Sequence, residues 1–304
     1  MELIRCFKAL SDKTRIRLFI ILRTYELNVN EIVLVVGMGQ SGVSRHLKIL
    51  LESGLLSARK DGSFTYYSAA RNRAADALGD LVRDHISRTP QAGQDLETAR
   101  EMIQIRQSRT KRFFKQVAPQ WDRLKKQVMG KFDLNRQMLS KIQTQGLVAD
   151  LGCGTGELMA AASAGKIQNI IGVDSSPEML DLARSRLAGK KNTELRLGAV
   201  EHLPMKNQEI DTAVMSMVLH HISQPGPALV EVFRVIKPGG RFILSDFEKH
   251  DNPEIRELMG GPWMGFEKQA VKDWLTQAGF QVTGLETHPV QQGLNLNIYT
   301  SEKS

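Results

Sequence analysis

The sequence predicts a two-domain chain: a small, mainly helical domain with a β-hairpin, then a larger α/β domain built on a parallel, doubly wound sheet. Three observations carry this. The length of 304 residues exceeds one small core, since domains of roughly 100–200 residues are typical. Residues 1–70 read as short amphipathic helices followed by two strand-like runs joined at Asp61-Gly62, the strongest short-range hairpin signal. From Leu147 onward, short apolar runs alternate with helical segments, the pattern of a parallel sheet.

Composition excludes several classes. Hydrophobic residues make up 41% and charged residues 24%, ordinary for globular chains. No stretch approaches the roughly 18 uninterrupted apolar residues of a membrane helix, so no membrane partner is expected. Glu2, Arg5 and Lys8 interrupt the start where an export signal needs an apolar run. Cys6 and Cys153 are the only cysteines, so a disulfide framework is not expected and a reducing, cytoplasmic location is the expectation. The net charge of +8 is uneven, because residues 100–136 alone carry eleven basic and three acidic side chains. That cluster suits either a polyanion partner or a solvated helical connector.

The elements follow in order. Leu3, Phe7 and Leu10 recur at i, i+4 and i+7, one face of a first helix. Ser11 and Asp12 offer N-cap chemistry to a second helix carrying Ile16, Phe19 and Ile20. A third short helix covers about Asn30 to Val36, and Gly37-Met38-Gly39 makes a tight turn. In the segment QSGVSRHLKILLESGLL that follows, Val43, Leu47 and Leu50 line one face, with Gln40, Ser44, Arg45 and Lys48 elsewhere on the surface. Two strands are expected at Leu55–Lys60 and Ser63–Ser68.

Three helices, a glycine turn and a hairpin wing compose a winged helix-turn-helix, in which the helix after the turn enters the DNA major groove. The stretches FKALSDKTRIRLFIIL and QSGVSRHLKILLESGLL resemble the ArsR-type winged-helix regulators over residues 1–90. The resemblance implies a double-stranded DNA operator as partner, with Gln40, Ser41, Ser44, Arg45 and His46 as groove contacts and Lys48, Arg59 and Lys60 on phosphates. Many members sense metals through a pattern like ELCVC, whereas this chain has ELNVN, with Asn28 and Asn30 where thiolates would stand. Amides do not replace thiolates for soft ions, so no metal is expected, and Cys6 reads as a small apolar residue. A helix over residues 71–88 carries Leu78, Leu81 and Val82 on one side. In the family its counterpart helps to form a homodimer that reads two half-sites.

Residues 91–146 read as a basic helical linker and cap, opened by a Pro and Gly break and continuing as a long polar helix through about Val117. Phe113, Phe114 and Trp121 stand out there as large apolar groups. They either pack or lie over a ligand mouth in the next domain, residues 147–304.

That domain begins VADLGCGTG. A strand that ends in glycines before a helix lets the backbone approach a ligand and presents amides to it. Gly152, Gly154 and Gly156, preceded by Asp150, give G-x-G-x-G rather than the dinucleotide spacing. The second strand ends at Asp174, 22 residues after Gly152, where a carboxylate accepts both hydroxyls of a ribose. Together with IDTAVMSMVLHHIS and EVFRVIKPGGRFILSDF, the segment resembles the class I S-adenosylmethionine-dependent methyltransferases over residues 110–300. The resemblance implies a Rossmann-like fold with seven strands, the last reversed, for which FQVTGLETH and LNLNIYTS are suited. It also implies S-adenosylmethionine or S-adenosylhomocysteine as ligand. Asp150 and the loop at Gly152, Cys153 and Gly154 would hold the methionine end, Asp174 and Ser175 the ribose, Ala199 and Val200 the adenine, with Ser216 near the sulfur. The family commonly has Gly-Asp-Ala-Glu where this chain has Gly198-Ala199-Val200-Glu201. One hydrogen bond is thereby lost, worth about 1 kcal/mol net.

Turnover is left open. His220 and His221 follow the fourth strand and are weak candidates for a catalytic base, with packing as the alternative. Trp263 to Phe266 either shape an acceptor pocket or pack a late helix. Three readings follow: a transcriptional regulator that binds S-adenosylhomocysteine or S-adenosylmethionine as effector, an active methyltransferase carrying a DNA-binding domain, and a metal-responsive repressor. The first, a repressor by its sign, matches fusions that resemble the S-adenosylhomocysteine-responsive regulators of the methionine cycle.

Overall fold

A computed structural model describes residues 2–61, 64–86, 90–143, 145–165 and 167–304. Its contacts divide the chain into Met1–Arg106 and Gln107–Ser304.

In the first unit, α1 (Glu2–Ala9), α2 (Lys13–Thr24), α3 (Val29–Val36) and α4 (Gln40–Glu52) precede the hairpin β2 (Leu56–Asp61) and β3 (Phe64–Ala69). The Asp12 carboxylate accepts the Arg15 N–H and starts α2 as its sequence predicts. Gly37 closes α3 in the left-handed region at φ 67°, a conformation that favours glycine. Val43, Leu47 and Leu50 turn α4 into a core with Leu18, Phe19 and Leu22 of α2. The expected turn at Asp61-Gly62 includes Gly62, which lies outside the described residues. A two-residue strand, β1 (Leu27–Asn28), pairs antiparallel with β3 and is not legible as a strand in the sequence.

The apolar stripe of α1 differs from its helical pattern. Cys6, Ala9 and Leu10 are buried, while Leu3 and Phe7 are exposed. An eight-residue helix that is apolar on two sides leaves its core face undecided by spacing alone. The same holds on α5 (Arg73–Ile86), where Leu78 is buried and Leu81 exposed.

Pro90 opens the 28-residue α6 (Pro90–Val117), and Gly93 lies inside it. The Pro and Gly pair expected to break the chain therefore starts a helix instead, as proline suits a first helical turn. The unit boundary falls within α6. In the first unit Asp95 of α6 is bound by Arg17 at 2.7 and 2.9 Å, and Arg106 binds Glu31 and the Glu26 carbonyl.

The second unit opens with α7 (Trp121–Met129) and α8 (Leu134–Ser140). Its strands are β4 (Leu147–Leu151), β5 (Asn169–Asp174), β6 (Thr193–Leu197), β7 (Ile210–Ser216), β8 (Ile236–Phe247), β9 (Phe280–Pro289) and β10 (Asn295–Lys303). They form one seven-stranded sheet in the order β6-β5-β4-β7-β8-β10-β9. The pairs from β6 to β8 are parallel, and β10 runs antiparallel between β8 and β9. The intervening helices are α9 (Glu157–Ser163), α10 (Pro177–Arg186), α11 (Pro225–Val235), α12 (Pro253–Met259) and α13 (Lys268–Ala278). Strand order reverses between β4 and β7, and ligands of open α/β sheets bind in the crevice beyond the strand ends at such a point.

Candidate functional sites

The first candidate is the outward side of α4. Gln40, Ser41, Ser44, Arg45 and Lys48 are exposed opposite the buried Val43, Leu47 and Leu50. Gly39 caps the helix without a side-chain hydrogen bond, so the first amides stay available to an anion. Lys60 is exposed on β2. Two of the sequence candidates are drawn inward. His46 turns its Nδ1 to within 3.8 Å of Asp12. Arg59 makes a two-point pair with Glu26 at 3.2 and 3.1 Å and lies over the Tyr66 ring.

The beginning of α3, where the sequence replaces cysteines by asparagines, is a capping box. Asn28 accepts the Glu31 N–H at 3.1 Å and Glu31 accepts the Asn28 N–H at 2.9 Å. Asn30 is exposed, so the two amides do not converge. Among the described residues, no three His, Cys, Asp or Glu side chains gather to hold a metal.

The second candidate is the loop from β4 to α9. Gly152 and Cys153 both donate to the Val173 carbonyl, at 2.7 and 3.0 Å, which folds the loop back over β5. At Gly152 the φ of 77° and the approach of Val218, 2.5 Å from where a Cβ would stand, exclude any larger residue. Asp174 accepts the Gly154 N–H on one carboxylate oxygen and the Ser176 N–H on the other, both at 2.8 Å. Burial raises its pKa, opposed by those backbone hydrogen bonds, and Ser175 beside it is exposed. Asp150 is buried at the end of β4. Burial pushes its pKa up to about 7, with Lys125 pulling it down and Asp174 adding to the rise. Cys153 is buried, and its thiol is held well above its ordinary pKa by burial and by the two carboxylates. Ala199 and Val200 follow β6, with Val200 buried, and the Ser216 hydroxyl at the end of β7 lies 3.5 Å from Ser245 Oγ.

Helix α7 closes one side of this loop. Trp121 is the nearest neighbour of Gly154, its Nε1 3.7 Å from an added Cβ. Thr155 donates to Asp122 at 2.6 Å, and Arg186 of α10 binds Thr155 and the other Asp122 oxygen. Lys125 reaches Glu157 at 3.0 Å. Sequence reading does not find this clasp, because its members come from three elements and only Trp121 is conspicuous in isolation.

Phe113, Phe114 and Trp121 form a chain of edge-to-face rings, at 5.5 and 5.2 Å, that continues to His221 at 4.7 Å from Phe114. His221 is buried, and burial keeps its imidazole neutral, with His220 adding to the effect. His220 Nδ1 lies 2.8 Å from Asp246 Oδ1, and its backbone N–H donates to Asp246 Oδ2 at 3.0 Å. Trp263 and Phe266 are buried, and Trp263 Nε1 donates to the Ile222 carbonyl at 2.6 Å, so this segment packs the loop after β7.

Residues 12–58 match the family described as bacterial regulatory protein, arsR family. Residues 149–244 match a methyltransferase domain. The chain joins an ArsR-family helix-turn-helix domain to a class I methyltransferase domain. A demethylmenaquinone methyltransferase of Lactobacillus johnsonii is 30% identical over 152 residues, 47% of this chain and 62% of the relative. An arsenite methyltransferase of Halobacterium salinarum is 35% identical over 103 residues, 33% of this chain and 26% of the relative. The chain thus spans less than two thirds of either relative's length. A solved S-adenosylmethionine-dependent methyltransferase from Thermotoga maritima covers 64% of this chain and 100% of its own, with 22% identity and a TM-score of 0.50, a likeness of fold. The methyltransferase domain therefore carries its glycine loop on the expected sheet with one reversed strand. No helix of the described residues is long and apolar enough to cross a membrane.

Proposed function

We propose that the chain is a DNA-binding transcriptional regulator, a repressor, whose methyltransferase domain binds S-adenosylhomocysteine or S-adenosylmethionine as effector. The single observation that carries this reading is the pairing, in one chain, of an exposed polar face on α4 with a glycine loop flanked by the carboxylates of Asp150 and Asp174. Asp150 is a buried carboxyl at the end of β4, a costly place for an ion, which a ligand ammonium relieves. Asp174 spends one acceptor position of each oxygen on backbone amides and keeps others for the ribose hydroxyls. Ala199 and Val200 suit the adenine face and Ser216 the sulfur.

Operator recognition is assigned to Gln40, Ser41, Ser44 and Arg45, with Lys48 and Lys60 on phosphates. His46 and Arg59 support the helix and the wing through Asp12 and Glu26 instead. Homodimer formation fits the exposed apolar side chains of α1 and α5, where Leu3, Ile4, Phe7 and Leu81 are 52, 60, 52 and 57% exposed. The domain division follows the roles: residues 1–90 for DNA, 91–146 as linker and cap, 147–304 for the ligand. A reducing, cytoplasmic setting suits this role.

The test is calorimetry with S-adenosylhomocysteine and S-adenosylmethionine, followed by titration of DNA selected by the protein from a random-sequence pool, with and without each ligand. Binding of ligand together with a shift in DNA affinity is the expected result. Loss of binding in Asp174→Ala, with the fold intact by circular dichroism, ties the ligand to the loop. No binding of either nucleoside overturns the reading.

A second reading, an active methyltransferase, draws on the His220–Asp246 pair, a carboxylate that orients an imidazole as in general-base sites. A bound S-adenosylmethionine would supply an electrophilic methyl, and His220 would take the acceptor's proton while Asp246 stabilises the resulting imidazolium. Transfer of labelled methyl to demethylmenaquinone or arsenite, lost in His220→Asn, would favour it.

A further inference from the structure

The basic segment that stands out in the sequence is densest on one stretch of helix. Residues 102–121 hold five basic side chains, Arg106, Arg109, Lys111, Arg112 and Lys115, and no acidic one. Arg106 is buried and spends its charge on Glu31 and the Glu26 carbonyl. The other four are exposed, on the half of α6 that belongs to the second unit. Arg109, Lys111 and Arg112 make no side-chain ion pair or hydrogen bond among the described residues, and Lys115 exerts an electrostatic pull on Glu178 of α10.

Positions three and four apart on a helix are neighbours, so Arg109 adjoins Arg112, Arg112 adjoins Lys115, and Lys115 adjoins Lys111. Like charges at that spacing repel one another and weaken the helix. The helix dipole favours a cation in the last turn, which accounts for Lys115 alone, since α6 ends at Val117. The first half of α6 has no such run: Asp95, Glu97 and Glu101 are interspersed with Arg100, which pairs with Glu97. A plain solvated connector gives no reason for its two halves to differ. A bilayer surface is a poor match too, because it needs a free apolar face, and Phe113, Phe114 and Val117 are packed against the core of the second unit. Four neighbouring cations that project into water fit a row of phosphates.

We infer that, on the reading of the first unit as a DNA-binding domain, Arg109, Lys111, Arg112 and Lys115 form a second contact with duplex DNA, made to phosphates and not to bases. Helix α4 then selects the sequence, while the stripe on α6 adds affinity whatever the sequence is. The contribution is sensitive to salt, because each phosphate neutralised releases condensed counterions.

The experiment titrates the full chain, between 50 and 200 mM salt, with the duplex it selects from a random-sequence pool and with a scrambled duplex of equal length. The quadruple variant carries Arg109→Gln, Lys111→Gln, Arg112→Gln and Lys115→Gln. Each neutralised phosphate contributes about 0.9 to the slope of log affinity against log salt, so the variant's slope is shallower by about 3 to 4. Over that range of salt wild type loses about a hundredfold more affinity than the variant does. The ratio of selected to scrambled affinity stays at its wild-type value, because phosphate contacts carry no sequence information, whereas Arg45→Ala changes it. Arg109→Lys combined with Arg112→Lys keeps the wild-type slope. Relieved of repulsion, the quadruple variant melts at or above wild type in low salt, which shows that it is folded. If it melts lower, the four single changes replace it, each lowering the slope by about one. An unchanged slope overturns the stripe, and with an effect of Arg45→Ala it leaves the DNA-binding reading standing. An unchanged slope together with binding of phosphatidylserine vesicles by wild type and not by the variant reassigns the stripe to a membrane and overturns it equally. If wild type binds no duplex, the DNA-binding reading fails and the stripe's role falls with it.

Discussion

Arg45 projects from the exposed side of α4, free of any ion pair within the described residues. A guanidinium offers guanine two parallel hydrogen bonds that carry base information. Arg45→Ala should therefore weaken operator binding by about 1–3 kcal/mol and relax base preference. A loss uniform across sequences in a competition assay would make it a phosphate contact. Asp150 is a buried carboxyl. Its pKa rises from 3.8 to about 7 in the folded chain, so the folded state holds the proton more tightly than the unfolded state does. The cost of ionising it is absent below the ordinary value, grows between the two values and is complete above about 7. Asp150→Asn should thus be more stable than wild type at pH 8 without ligand, by a few kcal/mol at about 1.4 kcal/mol per unit. The advantage should vanish toward pH 4, as denaturant titrations at both pH values will show. Asp150, Gly152 and Asp174 are legible in the sequence because a strand end and a fixed spacing define them. Lys125 and Arg186 are not, because they meet the loop only through folding. His46 and Arg59 look like DNA contacts by residue type, and tertiary partners in Asp12 and Glu26 draw them away.

Helices show where pattern reading succeeds and where it stops. The end of α6 is readable, since the long polar helix stops at Val117 as expected, yet the Pro and Gly near its start suggest a break that the helix does not make. Short helices with apolar residues on two sides are harder. On α1 the spacing joins Leu3 and Phe7 to Leu10, whereas the fold buries Cys6, Ala9 and Leu10 and leaves the other two exposed. Phe7→Glu should consequently cost the isolated fold little, because the side chain is 52% exposed. It should shift the protein to monomers in analytical ultracentrifugation if α1 forms the dimer face. A variant that remains dimeric would move that face elsewhere. Strand β1 escapes sequence reading for a simpler reason: two residues carry no period, and only pairing with β3 makes them a strand.

Across the whole molecule, the fold class was the most legible level, because strand and helix alternation acts over many residues at once. The order of the seven strands was not readable in the sequence, and the resemblance supplied only their number and the reversed last one. S-adenosylhomocysteine should change operator affinity by a larger factor than S-adenosylmethionine does. The two differ by one methyl and one positive charge, felt near Ser216 and the ring chain of Phe114 and Trp121. A ligand shifts an equilibrium only by its differential affinity for the two states, for which about 1–3 kcal/mol is typical. DNA titrations at fixed salt with each ligand will decide it, and identical curves with and without either ligand would show that the methyltransferase domain does not signal.

The burial of both cysteines has a practical corollary. Cys6 sits in the core of the first unit and Cys153 in that of the second, and an enclosed thiol reacts with alkylating reagents only when its surroundings open. Each unit thus contains its own chemical clock. Pulsed labelling with iodoacetamide, read by peptide mass, should report the opening rate at Cys6 and at Cys153 separately. A nucleoside that binds the glycine loop should slow the second clock, and whether it also slows the first measures how far one unit's stability depends on the other's ligand.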